Sequence, residues 1–588
     1  MTRYSTICLS YACTALMFAA PAVADVLRSG SGTGFGLPLT NPIFTGQINV
    51  GTGSTGNPGE LEVNAESLVN GFTAFESSGL LVGEENGGDG VVRVIGDGTP
   101  GSATVTVNDG IGVRIGVGGN GLLEVRSGGV VSSNEPIHFG EDFGTNSQGN
   151  GTVIVDGPGS VIRSSVPSNA DAAGRIAAPF DGQATSNITI SNGGVIEATG
   201  GDLPNFDAAS IFLGGEEDFP TQAIVNVTGE GSTLQASHFI GLRNGFGGAQ
   251  VNVSDGATMR QLEAGLDFGD GPPVGIGINS FDADTGITVS GVSAGSVASS
   301  LSAVDDISVG IVRRIIGFTA SGEPRVSRDF DTLAGDPILD QEGNPLFDAL
   351  GNPVIGVEND FFGDGSFVFI EPDVEVFTKQ TGYLIAEDGA VVETAADITI
   401  SENSEDPLVT PSSGEDSTLT VRNGGTVNAQ NVRVREHGRL DGGGGNINAN
   451  VFLEGGALAP GNSIGTLTVD GDINLLDGIL QLEFGAGGLD MLLATGEITL
   501  GPDLVIELVL NQDPAGQTID LNAFFSATEL TSNFNFQENL ILAGLGNNAT
   551  GVVTGFDGET LLIPEPGSLV LCTLSAAMLI RWRRPAAS

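Results

Sequence analysis

Cysteine and lysine are almost absent from this chain of 588 residues. The three cysteines are Cys8, Cys13 and Cys572, so residues 25–563 contain none, and Lys379 is the single lysine. Without cysteine, the body of the chain has neither disulfides nor thiolate chemistry. Its stability has to come from packing and from backbone hydrogen bonds.

Positive charge is scarce as well. Lysine and arginine together number 21 against 72 Asp and Glu, which gives a formal net charge of −51. Proteins that bind nucleic acid need clustered basic residues opposite the phosphates, and no such cluster occurs here, so we expect no nucleic-acid partner. A surface of this charge keeps a protein soluble and attracts divalent cations loosely.

Sequence patterns that bind metals or phosphates are also missing. No His/Cys cluster has the spacing of a zinc site, the acidic stretches lack the ligand spacing of a calcium loop, and no glycine-rich stretch ends in Gly-Lys-Ser/Thr. We therefore predict no cofactor and no metal site, apart from loose binding of divalent cations by acidic loops.

Histidine occurs only three times, which restricts acid–base chemistry by imidazole to three places. The neighbours that could act with them are Glu141 and Asp142 beside His138, Arg243 beside His238, and Glu436 and Arg439 beside His437. His138 and His238 each precede the phenylalanine of a repeated phrase, so we interpret both as coil positions that face outward. Lys379 has no motif around it. We predict that the chain has no catalytic residue.

Glycine and aliphatic residues are abundant. The chain has 92 glycines, and 40% of its residues are hydrophobic. A glycine-rich acidic chain can be disordered, but here Val, Ile and Leu alternate with polar residues along many short segments. This alternation predicts β-strands with one apolar face. The fold class is therefore all-β, with enough apolar surface for a core.

One phrase recurs from about residue 80: an alternating segment, a glycine-containing turn and a second short segment. The first turn glycines are spaced by 29, 36, 36 and 27 residues, at Gly128, Gly157, Gly193, Gly229 and Gly256. A second phrase, an apolar residue followed by glycine, lies between them at Ile115-Gly116, Phe139-Gly140, Leu213-Gly214 and Ile240-Gly241. Such spacing predicts a parallel β-solenoid whose coils stack about 4.8 Å apart. Antiparallel hairpins at the Asn-Gly turns are the alternative.

The N-terminus has the three parts of a secretory signal peptide. Arg3 precedes an apolar core over residues 7–20, and Ala22 and Ala24 form an A-x-A-type cleavage site before Asp25. We expect residues 1–24 to pass the export translocon and to be removed.

The C-terminus combines a short motif with an apolar run and a basic end. Pro564, Glu565 and Pro566 precede an uncharged run over residues 568–580, which covers about 20 Å as a helix and is short for a bilayer core of ~30 Å. The run is followed by the basic end Arg581, Trp582, Arg583 and Arg584, which we interpret as a membrane stop on the cytoplasmic side. This layout resembles the PEP-CTERM sorting signal of Gram-negative bacteria, and the resemblance implies that a membrane-embedded exosortase reads the Pro-Glu-Pro motif.

The body carries two further resemblances. The recurring phrases are similar to repeats of autotransporter passenger domains and PEP-CTERM proteins, which implies a right-handed parallel β-helix. Residues 455–469 (GGALAPGNSIGTLTV) resemble the passenger-associated transport repeat. In autotransporters that repeat precedes a membrane barrel, but the roughly 90 residues that follow here are too few for about a dozen strands of some ten residues each.

These observations divide the chain into seven segments. The predicted segments are a signal peptide (1–24), an N-terminal cap with first coils (25–79), solenoid repeats (80–264), an irregular insertion (265–410), a solenoid with the transport-repeat motif (411–474), a C-terminal capping module (475–560) and the sorting signal with one membrane helix (561–588).

The function expected from these segments is structural. The chain is expected to be exported, held in the inner membrane as a precursor and then sorted to the envelope, the surface or an exopolysaccharide matrix. Exopolysaccharide is therefore a possible partner, beside exosortase, the translocon and the membrane. Two alternatives stay open, a polysaccharide-active β-helix enzyme (lyase or hydrolase) and an adhesin, either one displayed by the same signal.

Overall fold

The structure is a computed structural model, and its residues fall into two compact units. The described residues are 25–29, 48–51, 59–64, 73–83, 88–141, 149–166, 175–179, 184–200, 209–214, 221–244, 248–264, 274–280, 285–315, 356–358, 368–370, 376–403, 417–461, 464–511, 518–544, 551–556 and 560–563. Unit 1 comprises Met1–Leu384, Ala390–Ala396 and Glu402–Glu415, and unit 2 comprises Ile385–Gly389, Asp397–Ser401 and Asp416–Ser588.

The predicted signal cleavage residues Ala22 and Ala24 and the whole C-terminal motif lie outside the described residues. Among the described residues, no helix is long and apolar enough to span a membrane.

Unit 1 is an all-β solenoid in which each coil contributes one strand to each of three parallel sheets. The strands of the first sheet are Gly59–Asn64, Asp89–Ile95, Asn120–Arg126, Asn150–Asp156, Thr185–Ser191, Gln222–Thr228, Gly248–Ser254 and Gly286–Ser290. Those of the second are Gly129–Ser133, Val161–Val166, Val195–Gly200, Thr233–Ala236, Thr258–Gln261, Ser300–Ala303 and Val391–Thr394. Those of the third are Ile48–Val50, Ile137–Glu141, Ile176–Ala178, Ser210–Leu213, Phe239–Asn244, Val274–Ser280 and Asp306–Ile315.

Two long strands, Thr73–Val82 and Ala103–Val117, turn from the second sheet into the third. Apart from an isolated antiparallel bridge between Val292 and Ala298 in one corner, the antiparallel pairs in the described part of unit 1 are three strand pairs. Asp25–Ser29 pairs with Gly59–Asn64, Asp306–Ile315 pairs with Val376–Gln380, and Gly356–Glu358 pairs with Val368–Ile370. The coils themselves are parallel, so the solenoid prediction is confirmed and the hairpin alternative is wrong.

Alternation of side chains explains the first two sheets. In Thr185–Ser191 the inward Ile188 and Ile190 are buried, whereas Asn187 and Thr189 point to the other face of the sheet. The register repeats from coil to coil, since Ile188 pairs with Val153 on one side and with Val225 on the other. Stacked aliphatic side chains therefore form one continuous core.

The third sheet of unit 1 is different because its outward residues are buried as well. Every residue of Ile137–Glu141, Ile176–Ala178 and Ser210–Leu213 is buried. Its sequence pattern is correspondingly less regular, and one predicted repeat is out of register. Ile240 pairs with Ile211, so the partner of Leu213 is Leu242 and the phrase Ile240-Gly241 does not align with Leu213-Gly214.

Short and long corners alternate between the first and second sheets, and the long corners differ in length among themselves. Short corners use two residues with positive φ, as in Ser127-Gly128, Asn192-Gly193 and Asp255-Gly256. The intervening long corners begin with a glycine and end with a buried serine, namely Ser160, Ser232 and Ser299. Each of these serines accepts a hydrogen bond from the glycine nitrogen of the short corner one coil earlier: Gly128 N to Ser160 Oγ is 3.1 Å, Gly193 N to Ser232 Oγ is 3.0 Å and Gly256 N to Ser299 Oγ is 2.9 Å.

Unit 2 repeats the three-sided coil. Its strands are Ser417–Val421, Thr426–Arg435, Gly438–Asp441, Gly445–Glu454, Ala457–Ala459, Thr466–Val469, Ile473–Gly485, Met491–Ala494, Glu497–Leu510, Phe525–Ser526, Glu529–Ser532 and Leu540–Ala543. They are joined by Ile398–Asn403, whose residues up to Ser401 belong to unit 2. Tyr383–Glu387 is shared by the two units. Gly488–Leu489 forms a small hairpin on Ile473–Gly485.

The end of unit 2 carries a separate sheet of three strands. Thr518–Asp520 pairs parallel with Gly551–Thr554, which pairs antiparallel with Thr560–Ile563. A 3-10 helix covers Leu521–Phe524, and a single α-helical turn covers Phe536–Asn539. The small sheet packs on the last coil through Phe556, whose ring centroid lies 5.5 Å from that of Phe525 and 6.0 Å from that of Phe534.

Four predicted boundaries differ from the observed strands. Parallel pairing continues past residue 264, through Asp306–Ile315, and the second-sheet strand Val391–Thr394 lies before residue 411. The coils of unit 2 likewise continue past 475, to Leu540–Ala543. Residues 561–563, assigned to the sorting signal, lie in a strand that pairs with Gly551–Thr554. The Gly-Asn-Pro repeats near residues 343–353 lie outside the described residues.

Candidate functional site

A group of buried polar side chains lies on the outer face of the third sheet. His138 stands between the inward residues Ile137 and Phe139, and it pairs across the ladder with Arg114 and Ala177. Glu141 ends the same strand. We call Arg114, His138, Glu141 and Arg175 the third-sheet polar cluster.

Within this cluster, the carboxylate of Glu141 links Arg114 to His138. Glu141 Oε1 accepts from Arg114 Nη1 at 2.5 Å, and Glu141 Oε2 lies 3.4 Å from His138 Nδ1. Arg114 also donates from Nε to the carbonyl of Ile111 at 3.1 Å. The Arg175 guanidinium lies 5.1 Å from the centroid of the Phe212 ring, within the range of a cation–π contact.

His138 is 5% exposed and Glu141 is 3% exposed, so neither is a free outward side chain. Burial lowers the pKa of His138; Glu141 opposes this shift, while the nearby Arg175 and Arg114 add to it. The imidazole is therefore neutral at neutral pH. A neutral imidazole beside a carboxylate can accept or relay a proton, but burial keeps solvent from this pair.

Next to the polar cluster, the same face becomes aromatic. Phe212 and Phe239 lie 5.8 Å apart between ring centroids and pack with Ala177. The Phe239 ring lies over Gly241, where an added Cβ would come within 2.4 Å of it. Glycine is therefore needed at position 241 to make room for the Phe239 ring, and not to form a turn. This is the physical reason why Ile240-Gly241 does not align with Leu213-Gly214.

His238 lies at the corner that leads into the same sheet. It is 8% exposed, and neither ring nitrogen has a hydrogen-bond partner, although its carbonyl accepts from Gln261 Nε2 at 2.9 Å. Gln261 also donates to Asp305 Oδ2 at 2.6 Å. We interpret His138 and His238 as coil positions that face outward. Neither side chain is exposed to solvent, because the third sheet is buried on both faces.

The remaining candidate residues are scattered. His437 is half-buried in a corner with positive φ, and its carbonyl accepts from Ser417 N at 3.0 Å. Asp142 and the side chains of Arg243 and Lys379 lie outside the described part of the chain. Arg439 pairs with Asp441 at 2.7 Å, and burial raises the pKa of Asp441 against the pull of Arg439. The described residues bring none of the three histidines together.

Outward polar side chains form ladders along the coils. On the second sheet of unit 1, Glu197 accepts from Arg163 and from Gln235 (2.6 Å), and Gln235 accepts from Arg260 (2.8 Å). On the first sheet, Arg93 bridges Glu60 at 3.4 Å and Glu124 at 3.1 Å. We call these rows the second-sheet ladder and the first-sheet ladder.

Unit 2 has a comparable arrangement. Arg433 bridges Asp397 at 3.0 Å and Glu454 at 2.7 Å, and its guanidinium lies 4.8 Å from the centroid of the Phe452 ring. Burial acts to lower the pKa of Arg433, but the two carboxylates outweigh it and the pKa is raised. Most of the arginines whose side chains the structure describes thus pair with carboxylates of neighbouring coils.

One buried carboxylate was not anticipated from the sequence. Asp490 has no exposed surface, and its two oxygens accept from the backbone nitrogens of Gly465 and Glu483, both at 2.8 Å. Burial raises its pKa to about 6, although both hydrogen bonds oppose the shift. Asp490 fixes the strand that begins at Met491 to Gly465, within the predicted transport-repeat motif, so its role is structural.

The described residues contain no group of three or more His, Cys, Asp or Glu side chains placed to hold a metal ion. No protein-family model matches the chain, and no curated protein matches it significantly.

Proposed function

We propose that this chain is a structural protein of the cell surface or extracellular matrix, exported and sorted by an exosortase, and not an enzyme. The observation that carries the structural role is the use of arginine. Arg93, Arg163 and Arg433 each reach carboxylates on neighbouring coils instead of a shared cleft. Such ladders strengthen a stack of coils along its length, as a stalk requires.

The routing part of the proposal rests on the two ends of the sequence. The A-x-A site at Ala22 and Ala24 supports export, and Pro564, Glu565 and Pro566 before an apolar run and the basic end Arg581–Arg584 support recognition by an exosortase. From the resemblance to PEP-CTERM proteins we infer a precursor in the inner membrane of a Gram-negative-type bacterium, held there by the apolar run over residues 568–580. Release to the envelope or an exopolysaccharide matrix follows.

Finer features of the fold belong to the same proposal. The coils wind right-handed, as the resemblance to passenger repeats implies, and the lateral insertion predicted within residues 265–410 interrupts them. The small sheet packed through Phe556 acts as the C-terminal cap, which protects the last strands from edge-to-edge association. Exposed edges of this kind are otherwise templates for aggregation.

The sorting part is tested by replacing Pro564, Glu565 and Pro566 with Ala in the native host. The expected result is an uncleaved precursor that stays in the membrane fraction, because the protease no longer recognises its motif. A matched variant with Gly567→Ala should be processed normally. Normal processing and release of the triple variant would show that the motif is not a sorting signal.

The second candidate is a polysaccharide-active enzyme, and the third-sheet polar cluster is the observation that favours it. His138 and Glu141 form a buried pair of possible proton carriers on an outer face. Purified protein would be screened against uronate-containing glycans with and without calcium. Unsaturated or reducing-end products that disappear with His138→Ala, but persist with His437→Ala, would establish the enzyme and overturn the structural proposal.

A further inference from the structure

The short corner at Asn192-Gly193 places a reactive dipeptide on the surface of the solenoid. Asn192 is exposed, has a φ of 52°, and is followed by a glycine with a φ of 88°. Asparagine followed by glycine is prone to deamidation, because glycine has no side chain to hinder attack by its own nitrogen. The backbone nitrogen of Gly193, after losing its proton, attacks Cγ of Asn192; ammonia leaves, and a five-membered succinimide forms. Water then opens the ring to aspartate or isoaspartate.

Two contacts with neighbouring coils oppose this reaction. The attacking nitrogen is that of Gly193, and it donates a hydrogen bond to Ser232 Oγ at 3.0 Å. Ser232 is fully buried. Ser232 is itself held in place, because its hydroxyl donates to the Thr228 carbonyl at 2.7 Å. On the other side, the Asn192 side chain donates from Nδ2 to Asp156 Oδ1 at 2.7 Å. The nucleophile and the electrophile are therefore each fixed by a different neighbour.

We infer that Asn192-Gly193 is a latent deamidation site, which the hydrogen bond from Gly193 to Ser232 keeps closed while the coils are stacked. The inference does not depend on the proposed sorting or on the absence of enzymatic activity. It follows that opening of this corner, by damage or by partial unfolding, exposes the site to reaction.

The product would loosen the corner further. Deamidation replaces the Asn192 amide, a donor to Asp156, by a carboxylate at the same place. Asp156 is ionised at neutral pH, since hydrogen bonds from Ser191 and Asn192 and the charge of Arg126 lower its pKa. Two like charges would then face each other across a former hydrogen bond, and such a pair is destabilising. The isoaspartate product also lengthens the backbone by one carbon at a tight turn.

A second corner provides a control within the same molecule. Asn423-Gly424 has the same conformation, with φ values of 52° and 79°. Here the glycine nitrogen donates to a backbone acceptor, the Gly444 carbonyl, at 2.8 Å. Removal of the Ser232 hydroxyl leaves that contact untouched.

The test is to incubate the full chain in warm, mildly alkaline buffer and to quantify deamidation at Asn192 and Asn423 by peptide mass spectrometry. In folded wild-type protein, deamidation at Asn192 should be slower than in the urea-unfolded chain by about tenfold or more, because reaction then requires local opening. Ser232→Ala should raise the rate at Asn192 and not at Asn423. Equal rates at Asn192 in folded and unfolded wild type would overturn the inference.

Ser160→Ala is the matched control for lost stability. It removes the equivalent bond to Gly128, but Ser127 before that glycine cannot form a succinimide. Its rate at Asn192 should equal that of wild type. If Ser232→Ala leaves the deamidation rate at Asn192 unchanged, Ser232 does not hold the site closed. The same conclusion follows if the rate at Asn192 rises equally in Ser160→Ala, or if Ser232→Ala raises the rate at Asn423 equally.

Discussion

Single residues in this protein are held mainly by contacts with the next coil, and buried carboxylates are the clearest examples. Asp490 and Glu141 are both far from water, yet each is matched by donors, two backbone nitrogens in one case and Arg114 in the other. A buried charge without such partners would be costly. These residues therefore depend on the exact stacking of the strands around them.

The raised pKa of Asp490 makes a pH-dependent contribution to stability. Because its folded pKa of about 6 lies above the ordinary value of 3.8, the folded state binds the proton more tightly than the unfolded state does. The contribution of Asp490 to stability is therefore largest at low pH and declines as pH rises through about 4 to 6. Asn cannot titrate, so Asp490→Asn should gain stability relative to wild type by about 2 kcal/mol between pH 4 and pH 7.

This prediction is checked by urea unfolding, followed by circular dichroism at a series of pH values. Asn also loses one acceptor for the two backbone nitrogens, which lowers the stability of the variant by a constant amount at every pH. The difference between variant and wild type is the quantity to plot. A difference that does not change with pH would contradict the raised pKa.

Individual strands are held in position mainly by those of their side chains that point into the core. In Thr185–Ser191, Ile188 is buried in the core and Thr189 is outward, although the two residues are adjacent. Ile188→Ala should lower the free energy of unfolding by about 2–4 kcal/mol through lost burial and the resulting cavity. Thr189→Ala should change it by about 0.5 kcal/mol or less. Equal effects of the two substitutions, measured by chemical unfolding, would show that the strand does not face the core as described.

Strands also show how far the sequence alone leads. The first and second sheets were predictable, because alternation such as that of Ile188 and Ile190 with Thr189 reports one buried face. The third sheet was not, because its outer face is buried too and residues such as His138 and Phe212 break the alternation. Val274–Ser280 does alternate, with Val274, Ile276 and Ile278 separated by glycines, but it lies outside the recurring phrase of two segments and a turn, so it fell within the predicted insertion.

The same limit applies to the candidate site. His138 and Glu141 could be named from their spacing, whereas Arg114 and Arg175 come from other coils and are brought near only by the register. Asp490 carries no local motif at all. Which residues meet between neighbouring coils depends on the number of residues in each coil. Because the corners vary in length, that number cannot be read from the sequence alone.

At the scale of the whole molecule, the net charge of −51 dominates. Like charges repel one another across a folded chain, and salt screens them over about 10 Å at 0.1 M. The arginine ladders are partly buried and are screened less. We therefore expect the melting temperature to rise by several degrees when NaCl increases from about 20 to about 500 mM.

MgCl2 at the same ionic strength serves as the comparison. An equal rise in melting temperature with both salts would mean screening alone, and a larger rise with Mg²⁺ would reveal the loose cation binding predicted for the acidic loops. A fall in melting temperature with NaCl would contradict the expectation, because it would mean that the ion pairs outweigh the overall repulsion.

The alternating corners of unit 1 have a consequence for how such a protein can change in length. Each long corner supplies the serine that its shorter predecessor needs, so the unit of construction is a pair of coils. Removal of one coil would set two corners of the same kind against each other and leave a glycine nitrogen without its acceptor. Shortening or duplication of this solenoid, whether by recombination or by design, should therefore be tolerated in steps of two coils and resisted in steps of one.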